Sequence, residues 1–101
     1  MNVDLKRGRV VQNRRTIVAF SLDSDPQISE ATIYDFSLMP DIPDRQEFGR
    51  KSLQALEQTL YNKGTRKIFV GDVAYDAMGF WRKMGYHQVS PLASTWVKIF
   101  R

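Results

Sequence analysis

The side chains able to do chemistry in this sequence are its carboxylates, its tyrosines and an excess of cations. With no cysteine there is no thiol nucleophile, disulfide, Cys-ligated zinc or CxxC redox pair. One histidine, His87, leaves little His-based chemistry, and no metal is expected. Fifteen Lys and Arg against eleven Asp and Glu give a net charge of +4, which suits an anionic partner such as nucleic acid, acidic protein or a phosphorylated cofactor. Much of the excess sits early, because Lys6, Arg7, Arg9, Arg14 and Arg15 are offset up to Leu22 only by Asp4. A solvated hairpin accounts for that cluster equally well. Without an aromatic platform for stacking bases, nucleic-acid binding is the weaker reading.

The elements that must position these groups follow from period and punctuation. At 101 residues the chain reads as one domain. No run of 18 apolar residues occurs, and Met1–Arg7 is followed by no apolar leader core, so a cytoplasmic protein with no membrane span is expected. Leu5–Gln12 and Thr16–Leu22 read as two strands joined by the turn Asn13-Arg14-Arg15. Asp23–Ser29 reads as a turn, and Glu30–Met39 as a third, longer strand ended by Pro40. After a loop over Pro40–Phe48, Leu53, Leu56 and Leu60 fall on one face of a helix of about four turns, stopped at Asn62-Lys63-Gly64. Lys67–Val73 reads as a strand, Asp76–Met84 as a second helix capped by Gly85, and Gln88–Val89 with Thr95–Phe100 as closing strands. The order β-β-β-α-β-α-β, with room for one more strand, predicts an α/β or α+β domain: one mixed, mostly antiparallel twisted sheet with helices packed on it.

Three segments carry a family resemblance. Ala77-Met78-Gly79-Phe80-Trp81-Arg82-Lys83-Met84-Gly85-Tyr86 resembles the last helix and strand entry of the GNAT (GCN5-related) N-acetyltransferases, whose usual pattern is A-x-x-[FL]-Y-x-K-x-G-F. Gly49 to Gly64 is similar in length and apolar pattern to that family's cofactor helix, and the strand ending Phe36-Ser37-Leu38-Met39-Pro40 to its fourth strand. The resemblance covers roughly Glu30 to Val89. It implies a single GNAT-like domain over residues 1–101, with the family's leading strand and helices reduced to Met1–Asp4.

The resemblance also implies a chemistry. The family's fourth and fifth strands part to admit acetyl-CoA, the co-substrate, whose pantetheine arm pairs like a strand with backbone groups of Ser37, Leu38 and Met39. Its pyrophosphate meets the start of the next helix, around Arg45, Gln46, Phe48, Gly49, Arg50 and Lys51, and Trp81 lies alongside. An amine attacks the thioester directly while an acidic side chain, here Asp35, Asp72 or Glu30, removes its proton through water. Asp35 is expected on the face shared with Ile33 and Ser37. The acceptor amine is unspecified, and the short front half favours a macromolecular acceptor or a site completed by a homodimer.

The sequence departs from the family where the cofactor would bind. The usual phosphate loop reads [QR]-x-x-G-x-[GA]. With Gln46 first, Lys51 replaces the second small residue; with Gly49 as the second glycine, Glu47 replaces the first. Asp44-Arg45-Gln46-Glu47 resembles a capping box, which sets carboxylates where phosphate is needed, unless Arg45, Arg50 and Lys51 neutralise Glu47 or hold phosphate themselves. Trp81 stands where the family has tyrosine, and indole is no acid at neutral pH. Ala74 replaces a common asparagine, and Tyr75 and Tyr86 are out of register and read as packing. Two functions therefore compete: an acyl-CoA-dependent N-acetyltransferase, and a GNAT-fold binding protein that no longer catalyses and takes a protein or nucleic-acid partner.

Overall fold

The computed structural model describes Met1 to Arg101. Four strands come first, β1 (Asn2–Asp4), β2 (Arg9–Gln12), β3 (Arg15–Asp25) and β4 (Glu30–Leu38), each antiparallel to the one before. There follow α1 (Arg45–Asn62), β5 (Lys67–Val70), a 3-10 turn over Tyr75–Ala77 leading into α2 (Met78–Lys83), then β6 (His87–Gln88) and β7 (Trp96–Ile99). The seven strands form one sheet in the order β1-β2-β3-β4-β5-β7-β6. Its one parallel pair is β4–β5, so the sheet is mixed and mostly antiparallel, as the alternation of elements predicts. No helix is long and apolar enough to cross a membrane.

The front end departs from expectation for reasons of local backbone. The first half of the strand expected over Leu5–Gln12 is instead a turn, Leu5–Gly8, and the strand begins at Arg9. Gly8 has φ 67°, and a Cβ there would lie 2.0 Å from the Phe20 carbonyl oxygen, so only glycine fits. The chain before it folds back as β1 onto Arg9–Val11. Asn13 and Arg14 both have positive φ, 53° and 63°, so the hairpin closes on two residues as a type I′ turn, and Arg15 belongs to β3. β3 also runs on to Asp25, through half of the expected turn. Its exposed Asp23, Ser24 and Asp25 need only backbone pairing with Thr32, Ala31 and Glu30.

Helix α1 begins at Arg45, earlier than expected, and lays Leu53, Leu56 and Leu60 on the sheet against a core that includes Val10, Val18, Ile33 and Ile68. Gly64 at φ 104° and Gly85 at φ 93° end the two helices in left-handed backbone, as their sequence positions predict. Both helices lie on one face of the sheet. A Cβ on Gly49 of α1 would sit 3.4 Å from the Phe80 ring of α2.

A buried polar group ties them together. Tyr86, just past α2, donates its hydroxyl to Glu57 Oε2 of α1 at 2.8 Å. Lys98 of β7 reaches the same carboxylate at 3.3 Å and donates to the Met84 carbonyl at 2.8 Å. Glu57 is 6% exposed and Tyr86 2%. Burial raises the Glu57 carboxyl above its ordinary value of 4.5, against the opposing pull of the Tyr86 hydrogen bond and of Lys98, and burial likewise raises the Tyr86 phenol.

Removing one partner of such a group strands the others away from water, so Glu57→Ala should cost about 3–5 kcal/mol and Glu57→Gln clearly less. A carboxyl whose folded pKa is raised contributes stability that is fully present below its unfolded value and lost as pH rises through the folded one. The stability of the wild type relative to Glu57→Gln should therefore fall as pH rises from the ordinary value of 4.5 upward. Urea midpoints of both proteins as pH rises check it, and a constant difference would refute it.

Candidate functional site

β4 and β5 are paired only along Glu30–Ile33 and Lys67–Val70, with one last link from the Gly71 N–H to the Ile33 carbonyl at 2.9 Å. Past that link β4 continues to Leu38, whereas the other chain turns off at Asp72, φ 53°. Two local features make the parting. The Tyr34 ring lies so close over Gly71 that a Cβ there would be 2.3 Å from its Cε1. On β4, Asp35 at φ 55° sits in a bulge, because Ala19 and Ser21 of β3 face Ser37 and Tyr34, leaving Asp35 and Phe36 opposite Phe20 alone. The bulge exchanges faces: Ala31 and Ile33 are buried before it, Phe36 and Leu38 turn inward after it, and Asp35 and Ser37 are exposed. The expectation that Asp35 shares a face with Ile33 is corrected on this point.

The bulge also decides which backbone groups meet the opening. Met39 N–H donates to the Ile17 carbonyl at 2.9 Å, so the alternation of an antiparallel ladder turns the peptide groups of Ser37 and Met39 toward β3 and those of Leu38 toward the gap. Leu38, Phe36, Arg45, Gln46, Gly49 and Trp81 border a cleft of about 450 Å³. A second hollow of about 420 Å³, bordered by Glu47, Arg50 and Lys83, joins it through Gln46, Asp76 and Phe80. Phe48 points elsewhere, toward Ile17 and Ile42. The inner wall is aromatic, with Trp81, 4% exposed, edge-on to Phe36, Phe80 and Tyr86 at 5.5, 5.2 and 5.1 Å.

At the start of α1 the capping box does not form. Asp44 precedes the helix at φ 47°, and no side chain caps the first turn; a capping side chain needs extended backbone at that residue to reach the N–H groups. Glu47 turns to Arg50, which bonds both its oxygens, and to Lys51 at 3.8 Å. The Arg50 hydrogen bond holds the Glu47 carboxyl below the usual carboxylate range. Arg45 is engaged elsewhere, donating to the Met39 and Pro40 carbonyls at 2.9 and 3.3 Å and so fastening the end of β4 to the helix start.

Of the three candidate acids, Asp35 and Asp72 both lie beyond the last β4–β5 link, at the end where the strands part, and both are exposed. Glu30 does not join them. It lies at the far end of the β4–β5 ladder, 3.8 Å from Lys67. His87 is exposed on the edge strand β6. Asp76, which borders both hollows, was not singled out by the sequence, where it reads only as an acid at the start of a helix.

Gly71→Ala should cost about 1–3 kcal/mol, since the Tyr34 ring must move. Adding Tyr34→Ala should make the second Gly71→Ala step nearly free, a coupling that denaturant midpoints of the four proteins would read. Additive costs would mean that the ring does not close over Gly71.

No protein-family model and no curated protein sequence matches the chain. Solved structures do resemble it. GCN5 from Tetrahymena superposes with a TM-score of 0.74 at 10% identity, over 92% of this chain and 66% of that one. The PaiA N-acetyltransferase from Thermoplasma acidophilum, solved in complex with coenzyme A, gives 0.71 at 17%, over 91% and 58%. The ribosomal-protein-S18-alanine N-acetyltransferase from Escherichia coli gives 0.69 at 17%, over 91% and 66%. The chain thus spans just under two thirds of the length of these proteins, or less. Its sheet order, its single parallel pair and the gap between β4 and β5 belong to one architecture: the chain has the fold of the GNAT N-acetyltransferases.

Proposed function

We propose that this chain binds a CoA thioester in the cleft between β4 and β5 and transfers its acyl group, acetyl in the simplest case, to an amine. The observation that carries the reading is that β4 runs past its last bond to β5, turns the Leu38 peptide into the gap, and leads to a helix whose first turn no side chain caps. A pantetheine arm needs such a backbone edge, and a pyrophosphate such a helix start. The residues fit both ends of the molecule. The fold neighbours add support, since one was solved with coenzyme A and those named above as N-acetyltransferases share the architecture.

Bound acetyl-CoA supplies a thioester carbonyl open to attack by an amine. The chain's own part is to hold and to deprotonate. Leu38 offers one N–H and one C=O to the pantetheine amides. The first-turn N–H groups of α1, with Arg50 and Lys51, face the phosphates. Asp35 or Asp72 takes the proton of the amine through water. Trp81 shapes the inner wall and gives no proton, so the departing sulfur is protonated by solvent. A second reading, cofactor binding without turnover, is favoured by Trp81 and by the exposure of both acids.

Thermal unfolding with acetyl-CoA at about a hundred times its dissociation constant should gain about 2.7 kcal/mol, a rise of roughly 10 °C or more for a domain this size. Adenosine 3′,5′-bisphosphate, which lacks the pantetheine arm, should give much less. No rise would overturn the proposal. Given binding, Asp35→Asn or Asp72→Asn should lower kcat on an amine panel by about 10²–10⁴-fold. Binding with no turnover on any amine would leave the second reading.

A further inference from the structure

Resting on that reading, the geometry at the start of α1 points to a role for Glu47. We infer that the Glu47 carboxylate competes with the phosphates of CoA for Arg50 and Lys51, and so sets both how tightly CoA is held and how far it is preferred over thioesters lacking phosphate. Glu47 stands in the first turn of α1, where the helix field favours one anion and a second is repelled by the first. It borders the hollow of about 420 Å³ that continues the cleft past Gln46. Arg50, which borders that hollow, is already on the Glu47 carboxylate through two nitrogens, and Lys51, the next residue of the helix, lies 3.8 Å from the same carboxylate. Arg45, the remaining cation of that turn, is held by the Met39 and Pro40 carbonyls. Lys83 borders the same hollow from α2, but so does Asp76.

Nothing packs Glu47 in place, because its side chain is about half exposed, as are those of Arg50 and Lys51. An arriving phosphate can therefore take over the two cations while the carboxylate swings to solvent. The cations hold the Glu47 carboxyl below the usual range, so it stays charged at neutral pH and protonation does not release them. Charge alone sets the competition, and a neutral isostere ends it.

Glu47→Gln keeps the length of the side chain and frees Arg50 and Lys51. Titration calorimetry should find acetyl-CoA bound roughly two- to fivefold more tightly by Glu47→Gln than by the wild type, with S-acetylpantetheine, which has no phosphate, bound equally by both. In the Arg50→Gln background the gain should shrink, because the cation that Glu47 occupies is gone. Both substituted side chains are solvent-exposed, and unchanged thermal midpoints without ligand would show the folds intact. Equal or weaker CoA binding by Glu47→Gln, or an equal gain for S-acetylpantetheine, would overturn the inference while leaving the CoA reading standing. If neither protein binds acetyl-CoA, the reading and the inference fall together.

Discussion

One hydrogen bond, from the Gly71 N–H to the Ile33 carbonyl, marks where the sheet stops being continuous, and the arrangement of everything around the cleft follows from that limit. Beyond it β4 has a partner on one side only. An unpaired strand edge in the middle of a sheet is exposed polar backbone, which folded proteins ordinarily pair or cover. Here the cover is partial. Phe36, Phe80 and Trp81 wall the inner side, and α1 begins just past the end of β4, so the gap stays open toward the helix start. Three of the six non-glycine residues in left-handed backbone, Asp35, Asp44 and Asp72, fall around the cleft, and aspartate tolerates that conformation better than most side chains.

The helices that border the opening are braced at their other ends by Glu57, Tyr86 and Lys98. A buried ionic group is weak evidence of stability in itself. Its position is informative, because it joins α1, the exit of α2 and β7 at one point, and Trp81 packs edge-on against the same Tyr86. The width of the cleft on its aromatic side thus depends on a polar contact made outside the cleft.

Much of this was legible in the residues. The spacing of Leu53, Leu56 and Leu60, the glycines at 64 and 85, and the β-branched and aromatic run from Glu30 each report a strong, local preference, and each is found where expected. What escaped was set by contacts or by single backbone angles. The turn at Gly8 is forced by the Phe20 carbonyl, which a reading of period along Leu5–Gln12 cannot register. The bulge at Asp35 hides inside an alternating pattern of Ile33, Asp35 and Ser37, and one inserted residue reverses which side chains face inward. Asp44 and Glu47 have the spacing of a capping box, yet the φ of Asp44 turns its carboxylate away and Arg50, three residues on, takes Glu47 instead. Around the cleft, then, sequence reasoning located the segments but missed their local facing.

The parallel pairing of β4 with β5 also has a consequence for how the domain assembles. The first four strands meet through short turns, so their contacts close small loops, whereas β5 can find β4 only after the whole of α1 has been crossed. Loop-closure entropy delays such contacts and makes them the slow part of folding. The same four-residue ladder is what holds the two sides of the cleft in register. The pairing that completes the binding geometry is thus among the slow ones to form, and a short ladder at a parting of strands is also where local opening costs the native state little.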